Sequence, residues 1–260
     1  MLGSIKLENF WNWAACGKHP SAKDYFQVGS TEPLLMAFSD WVKAGYQQLA
    51  KVGNKEIAKQ NSWRFWVQGL KKRDLICGIG KDSSDSFGRS YPLLIMGIGP
   101  LKKWDRYWEL LPFALENTWG QIEYLSTKRF SDFKQLEDGV KMIAPPVGDW
   151  LKLKSQIEQT ENHETRFAST SHSNIINFKD TINSLSNKTE FFIPLETGSI
   201  SEQLINLSIC RFFLQKGAKL TPQAVFIGGI PQKVCLALFN RPLKAHDFVR
   251  IWMSCSEDIK

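Results

Sequence analysis

No stretch of this chain approaches the roughly 20 uninterrupted apolar residues that a membrane span requires, so direct membrane insertion is not expected. The N-terminus carries Glu8 and no continuous apolar segment of the signal-peptide type, and a cytoplasmic location is expected. Cysteine is sparse. The five residues, Cys16, Cys77, Cys210, Cys235 and Cys255, include no Cys-x-x-Cys pair. Their odd number and wide spacing argue for reduced thiols acting as small core hydrophobes. The four histidines, His19, His163, His172 and His246, never stand at metal-ligand spacing from one another or from cysteine, so no metal or cofactor is expected. Repeats and low-complexity tracts are absent as well.

Catalytic patterns are likewise missing. Gly17-Lys18 resembles the end of a phosphate loop, but Asn12 stands where the earlier Gly belongs and His19 where Ser or Thr should follow. Gly78-x-Gly80 lacks the third Gly and the following helix of a dinucleotide site. His19, Ser21 and Asp24 are the residue types of a hydrolase triad, yet the strained Gly-x-Ser-x-Gly elbow is absent. Side-chain acceptance of backbone hydrogen bonds within a turn explains Ser21 and Asp24 more simply. Asp82 and Asp85 lack the central Gly and terminal Glu of a calcium loop.

What is present is an ordinary globular composition of 260 residues, 43% hydrophobic and 23% charged, long enough to bury one large core or two small lobes. The formal charge of +7 permits an acidic partner. Basic residues are dispersed from Lys51 through Lys71, Lys72 and Arg73 to Lys102, Lys103 and Arg106, without any helix-turn-helix, zinc-finger or RNP pattern. They read as a solvated basic face rather than a nucleic-acid site, with an acidic protein surface as a further option.

Apolar spacing sets out the elements. Short strands flank Gly17. A helix follows Pro33, with Leu34, Phe38, Trp41, Val42, Gly45, Tyr46 and Leu49 on one stripe, ending at Gly53-Asn54. Trp63, Phe65 and Val67 alternate as a strand does, and strands are expected again at 75–80 and 90–98. Trp66 turns toward the side of Arg64, either exposed as a partner anchor or buried beneath a helix. Trp104 to Ile122 is helical in spacing, with Pro112 kinking or splitting it, and a second helix runs from about Phe130 to Pro145-Pro146. A polar excursion near 158–188 precedes a helix around Leu204–Phe212, two strands joined at Pro231-Gln232, and a closing helix over Asp247–Trp252. The expected fold is α/β, a mixed, partly antiparallel sheet sandwiched between helices in three α/β/α layers. The double proline suggests lobes at 1–144 and 145–260, unless the chain forms one continuous domain.

Three strings stand out: Gly17-Lys18-His19-Pro20-Ser21-Ala22-Lys23-Asp24-Tyr25-Phe26, then Trp63-Arg64-Phe65, then Asp85-Ser86-Phe87-Gly88-Arg89-Ser90-Tyr91-Pro92-Leu93. In order and spacing they resemble the N-terminal signature of the TagF/ImpM family of type VI secretion-associated proteins. Gly228-Gly229-Ile230-Pro231 resembles that family's C-terminal Gly-Leu-Pro element. His19 replaces the usual Leu, and Ala22-Lys23 the usual His-Gly. Gly17, Lys18, Pro20, Ser21, Asp24, Trp63, Arg64, Asp85, Gly88, Arg89 and Pro92 match motif positions and, with Trp66, form the candidate interaction set. The resemblance implies a non-enzymatic accessory protein of a bacterial type VI secretion system. It would act post-translationally by binding a forkhead-associated scaffold protein. A small-molecule or nucleotide-handling enzyme using Lys18, Asp24 and Arg89 is the alternative. The two outer strings are expected to meet on one edge of the sheet, with Asp24 or Asp85 paired to Arg89 or Arg64.

Overall fold

The computed structural model describes residues 10–51, 60–156, 189–195 and 222–254. An eight-stranded sheet organises them: β1 (Asn12–Gly17), β2 (Phe26–Gly29), β3 (Ser62–Gln68), β4 (Asp74–Lys81), β5 (Leu93–Pro100), β6 (Glu190–Leu195), β7 (Ala224–Ile230) and β8 (Lys233–Phe239), in the order β2-β1-β5-β4-β3-β7-β8-β6. The helices are α1 (Pro33–Lys51), α2 (Leu111–Thr127), α3 (Phe133–Lys141) and α4 (Ala245–Met253), with residues 150–156 also helical.

Every strand pairing is antiparallel, which corrects the expectation of mixed directions. Tight connections fold β3 onto β4 and β7 onto β8. With every neighbouring pair antiparallel, β3 runs in the same sense as β2 across α1, whereas β6 runs opposite to β5 across α2 and α3. The β6 strand, which apolar spacing did not reveal, is short and carries Pro194; it occupies a terminal place in the sheet order, where a missing backbone donor is tolerated.

Strand alternation divides the core. Trp13, Ala15, Trp66, Leu75, Cys77, Ile79 and Ile95 join one apolar cluster with residues of α2 and α3. Ala14, Cys16, Trp63, Phe65, Ile76, Leu94 and Met96 join another with α1 and α4. The strands are buried on both sides, so they read as near-continuous hydrophobic runs. Of the expected α1 stripe, Phe38, Val42, Gly45 and Leu49 are buried and Leu34, Trp41 and Tyr46 partly buried, while Leu35, outside that stripe, is buried as well. A Cβ at Gly45 would come within 2.2 Å of Phe248 Cβ, so glycine there allows α1 and α4 to cross closely.

Pro112 splits its helical run, as expected: two 3-10 turns, Trp104–Arg106 and Trp108–Leu110, precede α2, and the proline occupies the first turn of α2, where no backbone donor is needed. Cys16 and Cys77 are buried free thiols, and Cys235 is buried as well. The Gly53-Asn54 helix end, the 158–188 excursion, the helix near Leu204–Phe212, and Cys210 and Cys255 lie outside the described residues.

Candidate functional site

β1 and β5 are neighbours, so the loop leaving β1 and the loop entering β5 start side by side. Gly17 makes that approach possible. Its φ is +115°, and a Cβ would stand 2.0 Å from the Pro92 carbonyl oxygen. The loops then lock together: the Ser86 backbone N–H donates to the Ala22 carbonyl at 2.9 Å.

Asp85 is the centre of the joint, with its residue only 2% exposed. Its Oδ1 accepts from the backbone N–H groups of Phe87 and Arg89, each at 3.0 Å, which shapes the turn around Gly88 (φ +78°). Its Oδ2 accepts from Arg89 Nε at 2.8 Å and meets Lys18 Nζ at 3.0 Å. Burial by itself raises the carboxyl pKa. Lys18, the two backbone donors and the Arg89 guanidinium outweigh it and hold the group at about 2. Arg89 continues across the joint, with Nη2 donating to the Lys23 carbonyl at 2.8 Å and lying 3.2 Å from Asp24 Oδ2. Asp24 itself accepts from the Tyr25 N–H, which is the main cause of its lowered pKa.

Below this joint the first loop is pinned to the α2–α3 connection. Ser21 Oγ donates to the Phe130 carbonyl at 3.2 Å and accepts from the Phe130 N–H at 3.0 Å. His19 is buried, its Nδ1 accepting from the Ser21 N–H at 3.1 Å. Burial pushes the imidazole pKa down, against the Leu125 carbonyl, which favours the charged form. His19 thus braces its own turn and Asp24 accepts a backbone N–H within its turn, as expected, whereas Ser21 bonds the backbone of the α2–α3 connection instead of its own turn. Pro20 is exposed and Pro92 buried.

The two outer strings therefore meet, although at the ends of β1, β4 and β5 rather than along an edge strand. Asp85 and Asp24 both pair with Arg89. Arg64 does not take part: it lies on β3, pairs with Glu123 at 2.8 Å and Glu116 at 3.6 Å on α2, and sits 5.5 Å from the Trp119 ring centroid. Trp63 and Trp66 are buried on opposite sides of β3. Trp66, 0% exposed against Trp119, cannot be a surface anchor, because α2 covers its side of the strand.

Phe87 is the residue that sequence reasoning left out of the candidate set. It is 71% exposed at the tip of the Asp85 turn, with the Arg89 guanidinium carbon 5.5 Å from its ring centroid. The available signal was local: an Asp that caps its own turn up to Gly88-Arg89 directs the intervening side chain outward. A carboxylate held near 2 is a poor proton acceptor at neutral pH, and its partners are already engaged. Chemically, the arrangement is suited to holding an aromatic and cationic tip in one shape.

Residues 14–143 match the model of the TagF N-terminal domain, type VI secretion system-associated. The chain belongs to the TagF family. The match spans β1 to α3 and thus contains the whole joint. A crystal structure of PA0076 from Pseudomonas aeruginosa PAO1 is similar in fold, with a TM-score of 0.54 and 14% identity over 95% of this chain and 97% of that one. No curated protein matches the sequence. Membership in the TagF family associates the protein with type VI secretion, and no helix among its described residues is long and apolar enough to cross a membrane.

Proposed function

We propose that this TagF-family protein is a non-enzymatic, post-translational regulator of a type VI secretion system that works by binding a forkhead-associated scaffold protein in the cytoplasm. The observation carrying this reading is the Phe87–Gly88–Arg89 tip held over buried Asp85. Aromatic and arginine side chains are the residue types that dominate binding energy at protein interfaces. Ordering them beforehand removes part of the entropic cost of association. We read the helices of the two apolar clusters as layers on either side of the sheet, a rigid support for the tip.

The test is capture of the scaffold protein by Phe87→Ser and Arg89→Ala variants. Removing one central anchor should weaken binding by about 2 kcal/mol, or roughly thirty-fold. Phe87→Ser should leave the melting temperature nearly unchanged, because its side chain is exposed. Full binding by both variants, with unchanged melting temperatures, would refute the proposed surface.

A further inference from the structure

The opposite end of the sheet is chemically unlike the joint. The β3–β4 hairpin presents Leu70, 85% exposed, followed directly by exposed Lys71, Lys72 and Arg73. The chain leaving β5 adds exposed Lys102, Lys103 and Arg106. The two segments are tied together, since Leu101 N–H donates to the Arg73 carbonyl at 2.9 Å and Lys72 Nζ lies 3.1 Å from Asp105. Trp150 joins them by donating from Nε1 to the Lys102 carbonyl at 2.8 Å and stacking on Tyr107. This brings exposed Val147 and Leu151 to the same end. Asp74 and Asp105 are the acidic residues recorded in its ion pairs, with Arg73 and Lys72; Lys71, Lys102, Lys103 and Arg106 make no ion pair among the described residues.

We infer that this end of the protein docks on a membrane surface bearing anionic phospholipid headgroups. Four of its six cations are lysine, a residue depleted at protein interfaces but well suited to headgroups as a mobile, hydrated point charge. Its exposed apolar groups are aliphatic. Neither Leu nor Val is a favoured interface anchor, and neither offers the aromatic face on which nucleic-acid bases stack. A protruding leucine flanked by lysines matches what an interfacial layer accepts, an apolar side chain below and cations at headgroup level. The surface lies at the far end of β4 and β5 from Asp85, so lipid contact would leave the Phe87 tip free.

The test uses the full chain and co-sedimentation with phosphatidylcholine vesicles, with and without 30 mol% phosphatidylglycerol. Binding should require the anionic lipid and fall sharply with added salt. Each lost cation should weaken it about five-fold, so Lys71→Glu/Lys72→Glu/Arg73→Glu should lose more than a hundred-fold. Leu70→Ser should lose several-fold. Lys43→Glu/Lys51→Glu/Lys128→Glu, the same charge change on exposed lysines elsewhere, should keep most of the binding. Equal sedimentation with neutral vesicles, no sedimentation at all, or an equal loss in that control would overturn the inference. So would tighter binding of an RNA oligomer with the same sensitivity to the three substitutions. Matching melting temperatures among the variants identify any loss as a surface effect.

Discussion

Gly17→Ala tests the physical basis of the joint most directly. At φ +115° a side chain is outside the left-handed well, which is centred nearer +57°, so strain alone costs about 1–3 kcal/mol. The new Cβ would also stand 2.0 Å from the Pro92 carbonyl oxygen and 3.0 Å from Leu93 Cα. Those atoms are backbone and cannot rotate away. The end of the β1–β5 ladder beside Cys16↔Leu94 must open, losing one or two hydrogen bonds at about 1 kcal/mol each. The expected total is about 2–5 kcal/mol, or roughly 4–20 °C in melting temperature for a domain of this size. Gly88→Ala is the internal control. It too has positive φ, +78°, but nothing lies within 4 Å of its added Cβ, so only the left-handed cost of about 1–2 kcal/mol applies. Urea denaturation followed by tryptophan fluorescence measures both. If Gly17→Ala costs no more than Gly88→Ala, close approach of the two loops is not what requires glycine at position 17, and the account of the joint fails.

Asp85→Asn should destabilise at neutral pH. Because the native carboxyl is held at about 2 against 3.8 ordinarily, its charge-dependent stabilisation is present above pH 4 and disappears as pH falls through 2; the gap between variant and wild type, read from urea curves across acidic pH, should narrow in that direction. His19→Leu runs the other way on pH. Burial lowers the imidazole pKa below 6.5, so wild type bears a growing penalty as pH falls below that value, and the leucine variant should gain relative stability between pH 7.5 and 5 in the same measurement. Trp66→Ala, at a fully buried position, should cost about 3–5 kcal/mol by denaturation, while the folded fraction still captures the scaffold protein.

Local periodicity was enough to find α1, the hairpins on either side of Arg73-Asp74 and Pro231-Gln232, and the break at Pro112, because each is determined by neighbours in sequence. Beyond those hairpins, strand direction was not legible. β2 lies at one end of the sheet order and β3 well inside it, and only tertiary packing selects where a chain returns after a helix. Arg64 shows the same limit at the level of a side chain. Asp24, Asp85, Glu116 and Glu123 are all acidic in sequence, and only the placement of α2 over β3 selects the last two. Trp66 was ambiguous because alternation identifies opposite sides of a strand without saying whether a helix covers both. The two outer strings meet as expected, but not on an edge of the sheet, and the separate location of Arg64 was not foreseen.

The Asp85 joint explains why its residue types act as a unit. A buried ion pair adds little net stability compared with an apolar replacement, because desolvating the charges offsets their attraction. Shape is therefore its main contribution. Of the four contacts to the Asp85 carboxylate, two come from backbone N–H groups of its own turn and two from cations, one of which, Lys18, belongs to the other loop. The same carboxylate thus sets the local conformation of 85–89 and its position relative to 18–24. An apolar residue could fill the space but could satisfy neither the turn donors nor Lys18, whose side chain is only 12% exposed. Gly17 supplies the approach, Asp85 the lock and Arg89 the link to Asp24 and Lys23, leaving Phe87 as the exposed aromatic that the other contacts hold in place.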